Sequence, residues 1–126
     1  MIKKVSFYLL GYLFTLMMFS SCDYDYIHPA PIILPTDSIS FKSDIVPIFS
    51  NRGCLGCHGA GLVYPDLTAA DAYQSLMSDP DIIKKQDPAA SVLYLKITTG
   101  TMKDKGTSPT EVAIILQWIK EGAHNN

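Results

Sequence analysis

The chain is poor in charge, in cysteine and in anything repetitive. Asp, Glu, Lys and Arg make up 17% of its 126 residues and leave a net charge of −2. No basic stripe or cluster is evident, which argues against nucleic acid as a partner. No internal repeat or low-complexity tract appears. No segment shows the strict alternation of a half-buried strand, so the expected fold class is all-α. Hydrophobic residues still reach 48%, too many for a disordered chain. The length allows one small domain with accessory segments.

The amino terminus is not expected to belong to that domain. Lys3 and Lys4 are followed by an apolar run from Val5 to Phe19 and by the small pair Ser20-Ser21. This is the layout of a secretory signal over residues 1–21. An uncleaved membrane helix is the competing reading, but a run of about 15 residues is short for a span that needs about 20. Cys22 comes next, and Phe19-Ser20-Ser21-Cys22 resembles a bacterial lipoprotein signal, with Phe where Leu is usual. The resemblance implies lipidation of Cys22, an anchor that gains about 0.8 kcal/mol per buried CH₂. Removing Lys3 and Lys4 leaves 8 basic and 12 acidic residues, a charge of −4.

Residues 22–40 read as a tether, with Pro29, Pro31 and Pro35 favouring extended backbone. Ile32-Ile33-Leu34 is too apolar for a pure linker and is expected to pack on the domain edge. The domain itself, residues 41–126, reads as about four short helices. Ser43 is a candidate N-cap for a helix to Asn51, with Ile45, Ile48 and Phe49 on one face. Thr68-Ala69-Ala70-Asp71 has capping-box spacing and opens a helix to Met77. Asp87-Pro88 starts another, running to Ile97. Ser108-Pro109-Thr110-Glu111 is the clearest start signal, and Gly122 is placed to end that helix.

Chemistry concentrates in Cys54-Leu55-Gly56-Cys57-His58. Two of the three cysteines and one of the three histidines fall within these five residues. A C-x-x-C-H run is the attachment signature of a c-type haem. Cys54 and Cys57 would form thioethers with the two vinyl groups, and His58 would reach the iron from one face. Three other readings compete. A thioredoxin-like C-x-x-C needs a βαβ context, which is absent. Structural zinc needs four ligands, and the remaining candidates are Cys22, His28 and His124. A disulfide across two residues would be strained and would leave His58 without a role. A haem would also supply the apolar filling that a domain of this size lacks.

From Phe41 to Ala123 the chain resembles small single-haem cytochromes c of class I, of the kind found in bacterial lipoproteins. The resemblance is carried by Asp44–Phe49 before CLGCH, by Pro88-Ala89-Ala90-Ser91-Val92-Leu93, by Gly100-Thr101-Met102, and by Trp118-Ile119-Lys120-Glu121-Gly122-Ala123. It implies a class I cytochrome c-like fold around one covalently attached haem. It also implies that Pro65 offers its carbonyl to His58, that Leu67 packs against the porphyrin, and that Ile45, Ile48 and Phe49 meet Ile115, Trp118 and Ile119. Met102 is the expected sixth ligand, although the family's usual Met-Pro reads Met102-Lys103 here. His28 or His124 could serve instead, or the position could stay open.

The expected function is therefore a membrane-anchored electron carrier rather than an enzyme, working in a bacterial cell envelope with redox proteins as partners. Its acidic surface would favour basic partner patches. An open sixth position would instead suit a haem enzyme or a gas-binding protein. A third reading is an accessory lipoprotein in which the haem serves only as a structural core.

Overall fold

The computed structural model describes residues 31–126 apart from Gly106, together with Val5. Apart from Val5, the expected signal segment lies outside the described residues, as do Cys22, His28 and the first part of the expected tether. Every regular element among the described residues is helical, and none is long and apolar enough to cross a membrane.

Pro31 to Ser38 carries no helix or strand and is exposed, Ile33 at 78%. The Ile32-Ile33-Leu34 triplet thus does not pack on the domain edge. Burial begins at Ile39, which is 2% exposed. A π-helical turn, Phe41–Ile45, runs directly into α1 (Val46–Asn51). The cap is Ser40, not Ser43. Ser40 Oγ accepts the Ser43 N–H at 3.3 Å, and Asp44 Oδ2 accepts the Ser40 N–H at 2.7 Å. Pro47 sits in the first turn of α1, next to the junction with the π-helical turn.

Two further starts differ from expectation. The helix expected from Thr68 begins only at Ala72, as α3 (Ala72–Met77), after the four-residue α2 (Leu55–His58). Thr68 contributes its carbonyl to Asp71 and Ala72, while its Oγ1 is buried without a partner. The helix expected over Pro88–Ile97 is split into a 3₁₀ turn, Pro88–Ala90, and α4 (Val92–Thr98). Ser91 between them is extended and fully buried. Its Oγ accepts the Lys84 N–H at 2.9 Å, and the Val92 N–H goes to Asp81 O at 3.0 Å. These groups hold the 81–84 loop instead of continuing one helix.

After a 3₁₀ turn at Lys103–Lys105 comes α5 (Pro109–Lys120). Its capping box is complete: Ser108 Oγ accepts the Glu111 N–H at 3.2 Å, and Glu111 Oε2 accepts the Ser108 N–H at 2.7 Å. It ends at Gly122, whose φ of 101° is open to glycine at no steric cost. Ala123 N–H bonds Trp118 O and Gly122 N–H bonds Ile119 O, the paired bonds of a Schellman ending.

The two ends of the domain build the core. Ile45, Ile48 and Phe49 are buried together with Ile115, Trp118 and Ile119. Phe41 lies 5.1 Å from the Trp118 ring and meets Tyr73 edge-on at 5.2 Å. The polar tips of these aromatics are satisfied: Trp118 Nε1 donates to His124 O at 2.9 Å and Tyr73 Oη to Ala123 O at 3.1 Å.

An ion pair ties the end of α1 to the start of α5. Arg52 Nε donates to both Glu111 oxygens at 2.9 Å, and Nη2 lies 2.8 Å from Oε2. Burial pushes the Glu111 carboxyl up, but the Arg52 guanidinium and the Ser108 hydrogen bonds outweigh it and hold the group below its ordinary value. A lowered carboxyl contributes stability that is complete above the ordinary carboxylate range, about pH 4–5, and is lost as pH falls through the lower folded value. Glu111→Gln keeps a residue suited to the capping box and removes the charge. It should cost about 0.5–1 kcal/mol near neutral pH. The gap between wild type and variant in thermal unfolding should narrow as pH falls below the ordinary carboxylate range. A gap independent of pH would show that the charge contributes nothing.

Candidate functional site

CLGCH follows α1 through a left-handed turn at Gly53, φ 69°, and its last four residues form α2. Cys54 N–H returns to Phe49 O at 3.0 Å, which fixes where the run begins. Gly59 ends it. A Cβ there would sit 2.8 Å from Leu55 O, so the close return of the chain requires glycine. The following loop folds back on the motif: Val63 N–H bonds Cys57 O at 2.9 Å and Leu67 N–H bonds His58 O at 2.7 Å.

This loop holds the imidazole. His58 Nδ1 lies 3.1 Å from Val63 O and 3.2 Å from Pro65 O. A backbone carbonyl can only accept, so Nδ1 carries the proton. The Nε2 lone pair is then available to a metal. The Pro65 contact is the one implied by the resemblance. The Val63 contact has no signature in the sequence, because any residue supplies a carbonyl.

Cys54, Cys57, His58, Pro65, Leu67 and Met102 all line one cavity of about 360 Å³, a size ordinary for a ligand site. Ile48, Phe49, Leu93, Ile97 and Ile115 make its wall largely apolar. Met102 comes from the loop after α4, with its N–H bonded to Lys96 O at 3.0 Å. Met77 and His124 do not line the cavity. Asp79, Lys96 and Lys105 do. The local charge at the wall is therefore two positive to one negative, opposite in sign to the whole chain. Isolated lysines in a loop-rich stretch gave no sequence signal for this. Among the described residues, no three His, Cys, Asp or Glu side chains converge as ligands for one metal ion.

The two thiols differ. Cys54 is half-buried against the core, whereas Cys57 is exposed. Burial pushes the Cys54 thiol up, its own backbone hydrogen bond opposes this, and the nearby Glu111 charge adds to the rise. No protein-family model matches the chain, and no curated protein or solved structure is significantly similar to it.

In a chain made without any attached group, Cys57 should react with iodoacetamide several-fold faster than Cys54 near pH 8, because burial limits access to the Cys54 sulfur and pushes its thiol up. Peptide mass spectrometry at early times reads the order. Equal rates would contradict the burial of Cys54.

Proposed function

We propose that this chain is a small c-type cytochrome: an electron-transfer protein carrying one haem, attached through Cys54 and Cys57, with His58 and Met102 as the residues that would hold its iron. The single observation that carries the reading is the shared cavity. Two thiols, an imidazole with a free Nε2 and a thioether from a separate loop line the same apolar space. The donor set fits a haem better than zinc, since structural zinc needs four ligands and, among the described residues, no three His, Cys, Asp or Glu side chains converge on one metal ion. Thioredoxin-like chemistry lacks its βαβ setting, as every regular element among the described residues is helical.

When bound, such a group supplies a one-electron iron couple. Each residue has a part in supporting it. Cys54 and Cys57 would hold the group by adding their S–H bonds across its two vinyl groups, with no leaving group and no net oxidation. His58 Nε2 would donate to the iron, and the Val63 and Pro65 carbonyls on Nδ1–H would make it a stronger donor. Met102 would offer a soft sulfur ligand, of the kind that raises the potential. Leu67, Ile48, Phe49 and Ile115 exclude water from the cavity wall. The helical architecture is compatible with a class I cytochrome c-like fold, and the same proposal extends to that finer assignment. Lipidation at Cys22 would hold the domain at a bacterial envelope membrane, where redox proteins would dock transiently.

The mature chain, produced in a host that attaches c-type haem, should carry the mass of one haem and a Soret band. Cys54→Ala and Cys57→Ala should each leave a single thioether. Met102→Ala should keep the Soret band but lose the low-spin ferric spectrum. A wild-type mass equal to polypeptide plus lipid, with no Soret absorption, would sink the proposal.

A further inference from the structure

The loop that holds His58 is itself held. Its two acceptors, Val63 O and Pro65 O, flank Tyr64. The Tyr64 side chain reaches α3, where its hydroxyl lies 2.9 Å from Ser75 O and 2.8 Å from Ser78 Oγ. On the other side of Pro65, the Asp66 N–H donates to Ser75 Oγ at 2.8 Å. Ser75 thus takes one bond from each neighbour of Pro65, through its carbonyl and its hydroxyl. Neither bond is needed to build α3, since the last carbonyls of a helix have no intrahelical partner.

We infer that Tyr64 and Ser75 form a clamp that sets how strongly the Val63 and Pro65 carbonyls bind His58 Nδ1–H. The tuning of an iron ligand rests on the proposed function, whereas the clamp on the imidazole does not. A carbonyl cannot be changed by replacing its own side chain, so its position must be controlled through whatever anchors the loop. Among the described residues, the backbone N–H groups of Leu62, Val63 and Leu67 bond back to Gly59 and the CLGCH segment. The Ser75 bonds tie the loop to a different element. Tyr64 and Ser75 are positioning residues in this scheme. A tight carbonyl contact makes the imidazole a better donor, favours the oxidised iron and lowers the potential.

The test uses the full mature chain from a haem-attaching host, as wild type, Tyr64→Phe, Ser75→Ala and Ser75→Thr. Two quantities are read: the reduction potential, and solvent exchange of the His58 ring N–H by NMR. Tyr64→Phe and Ser75→Ala should raise the potential and speed ring N–H exchange, by up to about tenfold for one lost hydrogen bond. Ser75→Thr keeps both bonding groups and should stay with wild type. If Tyr64→Phe and Ser75→Ala lower only thermal stability and leave both readouts at wild-type values, the inference is overturned. Ring N–H exchange does not require bound haem. A wild-type chain without a Soret band would therefore count against the proposed function, and the exchange rates would still decide the clamp.

Discussion

Phe41 and Trp118 meet at 5.1 Å although 77 positions apart in sequence, and around them Ile39, Ile45, Ile48, Ile115 and Ile119 close the core. Bringing such distant segments together costs loop-closure entropy that grows only slowly with loop length. Each fully buried side chain of this size returns about 1.5–3 kcal/mol. The contact is reinforced at its rim. Ile39 N–H bonds Glu121 Oε2 at 2.9 Å, and Lys42 N–H bonds Asn126 O at 3.0 Å. Arg52 and Glu111 repeat the same connection from the other end of α1. The segment from CLGCH to Thr107 is therefore an excursion whose two ends are fixed by terminal packing.

That excursion adds Leu67, Ala72, Leu76, Ile82 and Ile83 to the core, but two of its helices add none. Neither α2 nor α4 has a fully buried residue, and helices of four and seven residues are not stable alone. Val92 and Leu95 are exposed at 37% and 42%, and Val92, Leu93 and Ile97 line the cavity. What positions these elements is backbone stitching: Val92 and Leu93 to the 81–82 loop, and Leu67 to His58. The proposed porphyrin would give the apolar wall the contact area that a domain of this size cannot supply from its own side chains.

The parts legible in the sequence are those whose signal is local. The Ser108–Glu111 capping box and the Gly122 ending act within one helical turn, and both ends of α5 fall where the residues place them. CLGCH is legible because its chemistry sits in five consecutive positions. Thr68 has the same capping-box spacing but no cap. Asp66 Oδ1 takes the Thr68 N–H at 2.8 Å, and the chain makes a turn before α3 begins. Ser91 broke an expected helix because its hydroxyl serves a distant loop. The Val63 carbonyl and Ser75 were illegible for a related reason: backbone acceptors carry no residue signature, and the pairing depends on where a loop lands. Net charge was similarly blind to the lysines gathered at the cavity wall.

Ile48, Phe49, Leu67, Ile82 and Ile115 belong to both the core and the cavity wall. They are where folding and the site are coupled. A group held in the cavity would bury these side chains further in the folded chain, and that apolar contact would add to the stability of the core they share. Phe41, Trp118 and Ile119 touch the core alone, so changes there should move stability without altering the site. Tyr64 and Met102 line the cavity without being fully buried, so changes there should alter the site at little cost to the core. The arrangement separates what holds the chain together from what sets its chemistry. Five shared side chains join the two, and His58 is oriented by a loop tied to the core through Leu67 and to α3 through Ser75.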